Sequence, residues 1–107
     1  MERKSNLQKE YFDHILAGRK TIEGRPVEWL TKDGNDTKVG DFIKWKCGSV
    51  ELTVKIIAIV PADDFGELFN LFGEKLLPGV KTAGEAEEVY RQWYKDDCKV
   101  VGLVLKL

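Results

Sequence analysis

Histidine is nearly absent from this sequence: His14 is its only copy in 107 residues, which excludes a multi-histidine metal centre. Cysteine is almost as scarce. Cys47 and Cys98 lie far apart, without Cys-x-x-Cys spacing and with no histidine near either, so neither a metal site nor a disulfide framework is expected. A buried free thiol is the simplest role for Cys47. No charge of one sign dominates, with 17 basic against 18 acidic residues and a net charge of −1. A protein gripping a long duplex through many phosphates usually carries a basic excess, so any nucleic-acid contact should be local and salt-sensitive. Residues 1–60 are slightly basic and residues 61–107 slightly acidic, a difference too small to define a binding face. Long apolar runs are missing as well. Residues Ile56 to Ala62 are too few to span a bilayer, and the polar start at Met1-Glu2-Arg3-Lys4 has no secretion segment. The expected setting is the cytosol or nucleus, without a membrane partner. Repeats, low-complexity tracts, linkers and a Gly-rich phosphate loop are also lacking.

What is present suits one domain over residues 1–107: 43% apolar residues, including three Trp, three Tyr and five Phe, suffice to order the chain. Residues Gln8 to Ala17 carry Phe12, Ile15 and Leu16 at helical spacing, stopped by Gly18. Strands are predicted over Thr21–Arg25, Phe42–Cys47, Val50–Val60 and Val100–Leu107. In the third of these, alternation with Glu51, Thr53 and Lys55 predicts one wet face. The apolar Ile56–Val60 half should be covered on both faces, with Pro61 ending the strand. A second helix follows Asp63-Asp64, with Phe65, Leu68, Phe69 and Phe72 inward; a third follows the capping box Thr82-x-x-Glu85. The apolar last strand must lie inside a sheet. The expected fold class is α+β: a small, mixed, largely antiparallel barrel of about five strands with about three helices outside.

Chemistry concentrates in Gly18-Arg19-Lys20-Thr21-Ile22-Glu23-Gly24-Arg25. Along an extended strand Thr21, Glu23 and Arg25 share one face and Ile22 the other, with Lys20 at the turn into the strand. The cations should keep Glu23 ionised, and Arg25 offers a planar fork to an anion or a base edge. On spacing alone a solvated salt-bridge network is the favoured reading, because charged residues on strand faces usually just solvate. Trp29, in the loop after it, is the better candidate for stacking on a base, weighed evenly against a loop anchor packed on the barrel; Trp45, Tyr90 and Trp93 read as core. His14 reads as a solvated helix residue, and Asp63-Asp64 as helix caps.

Gly18-x-Lys20-x-x-Glu23-x-Arg25 after a short helix resembles the signature of the ASCH family, named for homology to a transcription coactivator subunit. Tyr11 to Ala17, Val39-Gly40-Asp41, Leu77-Pro78-Gly79 and Val101-Gly102-Leu103-Val104 are similar to that family too, so the resemblance spans nearly the whole chain. It implies a barrel like that of the PUA superfamily with a cleft lined by the motif, and no cofactor. The implied partner is single-stranded RNA or a nucleotide or nucleoside, bound by a monomer through Lys20, Glu23, Arg25 and Trp29. Some bacterial members hydrolyse an acyl group from a modified nucleoside, using a lysine and a threonine of the motif and a downstream glutamate. Lys20 matches the lysine. Glu23 stands at the threonine's place; Thr21 is a hydroxyl two positions earlier, and Glu74 and Glu85 are candidates for the downstream glutamate. The resemblance therefore points first to a binding module, and second to an amidohydrolase or ribonuclease with Lys20, Glu23 and Thr21 in its catalytic set. A protein-interaction domain with a structural ion network is the third reading.

Overall fold

A computed structural model describes residues 2–5, 7–95 and 98–107. Its strands are β1 (Glu2–Ser5), β2 (Ile22–Pro26), β3 (Phe42–Cys47), β4 (Val50–Ala62) and β5 (Val100–Lys106). The helices are α1 (Lys9–Leu16), α2 (Phe65–Phe72) and α3 (Ala83–Arg91). One sheet in the order β1-β3-β4-β5-β2 curls into a half-barrel. Only the β1–β3 pair is parallel; the other pairs are antiparallel. This is the expected mixed, largely antiparallel α+β architecture.

Strand β5 explains how the apolar face is divided. Val101, Leu103 and Leu105 join Phe12, Ile15, Trp29, Ile43, Trp45 and Val54 in one core. Val100, on the opposite side of the same strand, joins Ile22, Phe65, Leu68, Leu76 and Tyr90 under α2 and α3. A strand with two buried faces must be apolar throughout, as this one is from Val100 to Leu105. The helix signals work locally as expected: the Asp64 carboxylate accepts from the Glu67 N–H, and the Thr82 hydroxyl accepts from the Glu85 N–H. Among the described residues no helix is long and apolar enough to cross a membrane.

The structure corrects five expectations. Pro61 does not end its strand: β4 continues to Ala62, and Pro61 pairs with Val101. Beyond Lys55 β4 has lost its β3 neighbour, so this stretch is a local edge that tolerates a missing N–H. The second half of β4 is not covered on both faces either. A register shift between Ile56 and Ala58 leaves Ile57 exposed. Trp93 lies past the end of α3 and is 39% exposed, so it is not core. Strand β1 forms from Glu-Arg-Lys-Ser, four residues with no apolar alternation, because β3 offers it a parallel ladder from Glu2↔Phe42 to Ser5↔Trp45. Cys47 is a half-buried thiol rather than the fully buried one expected, and the half-buried Cys98 thiol donates to the Lys95 carbonyl at 3.1 Å.

Candidate functional site

Just past the end of α1 stands Gly18, whose φ of 80° is the left-handed geometry that glycine adopts without strain. The turn folds back, with the Arg19 and Lys20 N–H groups both donating to the His14 carbonyl. It aims the Lys20 side chain inward, leaving the residue 1% exposed. The ammonium donates to the Ile22 carbonyl at 2.6 Å and to the Leu76 carbonyl, and lies 3.5 Å from Glu23 Oε1. Three acceptors surround its three protons. Burial is the largest influence on Lys20 and lowers its pKa; Glu23 opposes that shift, and Arg25 adds to it.

In β2, Glu23 and Arg25 point the same way, as strand alternation requires, and Arg25 Nη2 donates to Glu23 Oε2 at 3.2 Å. Glu23 is 5% exposed, so Lys20, Glu23 and Arg25 form a buried ion triad rather than a solvated network. Tyr94 hydrogen-bonds Arg25, and the Trp29 ring lies beneath the guanidinium, 5.4 Å from it. Arg3 of β1 also lies over the Trp29 ring, 3.6 Å from its centre. Arg3 is itself buried, donating to the Trp29 carbonyl and, at 3.1 Å, to the Thr37 hydroxyl.

Above the triad opens a cavity of about 330 Å³, within the range of small-molecule sites. Lys20, Glu23, Gly24 and Arg25 contribute its polar part, and Tyr11, Tyr90, Trp93 and Tyr94 its aromatic part. Leu7, Gln8 and Leu77 complete the lining. Tyr11 and Trp93 meet edge to face at 6.1 Å, while Tyr90 stacks on Phe65 at 3.8 Å and is locked in place. The Tyr90 hydroxyl is buried without a hydrogen-bond partner among the described residues. Its pKa is raised well above the ordinary value, first by burial and then by the Glu23 carboxylate.

The motif's charged residues thus meet around one cavity, but two other predicted residues do not join them. Thr21 lies just outside β2, its backbone tied to Lys75 and Leu105, and it is absent from the cavity lining. Trp29 is 8% exposed and also absent from the lining; its ring supports Arg25 instead of offering a face to a ligand. Glu74 and Glu85 are exposed and bound elsewhere, Glu74 to the Gly79 N–H and Lys81, and Glu85 within its capping box. Sequence reasoning missed Tyr11, Tyr94 and Arg3 and took Trp93 for core. Periodicity marks a helix stripe but not what lies beyond the helix end. Among the described residues no group of three His, Cys, Asp or Glu side chains is placed to hold a metal ion.

No protein-family model and no curated protein matches the sequence. Solved structures do. The hypothetical protein PH0355 is 35% identical with a TM-score of 0.84, over 99% of this chain and 98% of that one. PF0455 from Pyrococcus furiosus is 32% identical with a TM-score of 0.75, over 99% and 96%. The ASCH domain from Lactobacillus crispatus (17% identity, TM-score 0.71, 97% and 79%) has the same fold. So does ASCH from Zymomonas mobilis (20%, 0.68, 99% and 67%). The chain therefore belongs to one family with PH0355 and PF0455, and its fold is that of the ASCH domain.

Proposed function

We propose that the protein binds single-stranded RNA or a nucleoside by taking one base into the cavity above the ion triad. The observation that carries this reading is the pairing of a buried carboxylate and guanidinium, 3.2 Å apart, with a wall of aromatic rings around about 330 Å³. Aromatic faces accept any base by stacking. The half-exposed indole of Trp93 takes the stacking role here. Glu23 accepts from an exocyclic amino group while Arg25 donates to a neighbouring ring nitrogen or carbonyl, the pattern of an amino-bearing base edge. The triad carries one surplus positive charge, which favours an electron-rich or anionic ligand.

A hydrolytic role has less support. A general base needs a free lone pair, and the Lys20 ammonium is held by two carbonyls and Glu23. Thr21 and both candidate downstream glutamates stand outside the cavity. The test is fluorescence anisotropy of a labelled short single-stranded RNA at low salt, with N-acylated cytidines incubated in parallel and read by chromatography. Wild type is expected to bind the RNA and leave the acylated nucleosides intact. Arg25→Ala is expected to weaken binding at least tenfold. Absence of RNA and nucleoside binding by wild type would sink the proposal, and turnover lost in Lys20→Ala would replace it with the hydrolytic one.

A further inference from the structure

The wet face of the sheet collects lysines that are scattered in sequence. Inward-pointing Arg3, Ile43, Trp45, Leu52 and Val54 are buried, so their neighbours point out. The ladder places Lys4 opposite Lys44 and Lys55 opposite Lys106. Lys46 stands two residues beyond Lys44 on the same side. Five lysines thus share this face with Glu2 and Glu51, a surplus of three positive charges on a chain whose net charge is −1. Lys44 pairs with Glu51 at 3.0 Å. Among the described residues Lys4, Lys46, Lys55 and Lys106 form no ion pair. Like charges in direct register repel, and a polyanion laid across the strands relieves that repulsion.

We propose that this face, over β1, β3 and β4, is a docking track for the sugar–phosphate backbone of the RNA strand whose base enters the cavity; the inference rests on the cavity reading above. Two observations favour this occupant. A shallow groove of about 330 Å³ follows the face, lined by Lys4, Ser5, Lys44, Lys46 and Glu51, so the ammonium groups of three lysines line one path. The groove also adjoins the cavity. Ser5 lines the groove and Leu7 the cavity, and two residues of chain separate their Cα atoms by at most roughly 7 Å. A strand leaving the cavity past Leu7 would have this face within reach. Successive outward residues of β3, Lys44 and Lys46, stand about 6–7 Å apart, a spacing that lets neighbouring phosphates be met one by one.

The test uses the variant Lys4→Gln/Lys46→Gln/Lys55→Gln, which removes three exposed lysines that hold no ion pair. Its binding to a labelled single-stranded decamer is followed between about 25 and 200 mM salt, with a nucleoside monophosphate measured in parallel. Each lost phosphate contact lowers the slope of log K against log salt by about 0.7, so a drop of about 2 is expected. Affinity for the decamer should fall at least tenfold at low salt, with mononucleotide binding unchanged. Arg25→Ala should do the reverse, losing the mononucleotide and keeping most of the salt slope. An unchanged slope in the triple variant overturns the track. Binding of wild type to phosphatidylserine vesicles but not to the decamer overturns it in favour of a membrane surface. If wild type ignores the mononucleotide while decamer binding still depends on the three lysines, the cavity reading fails and the track stands.

Discussion

Gly24 and Tyr90 provide a test of whether the site's packing is described correctly. A Cβ on Gly24 would lie 2.8 Å from the Tyr90 hydroxyl oxygen and 3.2 Å from Leu68 Cδ2. Tyr90 cannot retreat, because its ring stacks on Phe65 at 3.8 Å and 9°. Gly24→Ala therefore overpacks a filled space, which costs about 1–3 kcal/mol. The reduced freedom of the unfolded chain offsets about 0.4–1 kcal/mol of that. Tyr90→Phe acts oppositely. It deletes a buried hydroxyl that has no partner among the described residues, so no hydrogen bond to them is lost and a desolvation penalty of about 1–3 kcal/mol is relieved in whole or part. The single variant should be neutral or stabilised by about 1 kcal/mol. In the double variant the 2.8 Å contact disappears while the 3.2 Å contacts to the ring and Leu68 remain. Gly24→Ala should then cost about 1 kcal/mol less than in wild type. For a domain of this size that is a Tm difference of roughly 4–8 °C, readable by circular dichroism or urea titration of the four proteins. Additivity within about 0.5 kcal/mol would refute the contact. Destabilisation by Tyr90→Phe alone would show that the hydroxyl has a partner after all.

The other expectations concern the triad, pH and the aromatic rim. Lys20→Met takes the ammonium from two buried carbonyls and leaves Glu23 with Arg25 as its remaining cation, and should cost about 1–3 kcal/mol in urea titration. A loss below about 1 kcal/mol would mean that the ammonium is not the strut it looks to be. Tyr11, Tyr90 and Tyr94 all have raised pKa values, with burial the largest cause in each. Their contribution to stability is full below pH 10 and is lost as pH climbs through the higher folded-state values. Lys20, lowered by burial, works the other way, its cost easing as pH rises toward 10.5. The lysine's change is complete near 10.5, while the tyrosine loss continues above it, so the protein should lose stability above about pH 10.5 while tyrosinate absorbance appears together with unfolding. Free titration of all three in the folded state would contradict this. Trp93→Ala should leave the melting temperature within a few degrees, since the side chain is 39% exposed, yet weaken RNA binding about tenfold. Equal binding in anisotropy would remove Trp93 from the site.

Local chemistry made much of this molecule legible from its residues alone. Gly18 stops α1, Asp64 and Thr82 cap the next two helices, and alternation from Val50 to Lys55 sets a half-wet strand. The continuous apolar run in β5 required burial on both sides, and the i, i+2 spacing of Glu23 and Arg25 put both on one face. These features depend on neighbours in the chain, so a sequence carries them. What the tertiary structure decided depends on partners far away. Strand β1 has no pattern of its own and exists because β3 receives it in parallel register. Trp29 became a buried support for Arg25, rather than a stacking platform, because Arg3 arrives from that strand to lie against its ring. The Lys20–Glu23–Arg25 set was ambiguous as a spacing, since exposed and buried ion pairs look alike in one dimension. The Leu76 carbonyl and the aromatic residues around the cavity took the triad out of water and turned a charged strand entrance into the floor of a cavity.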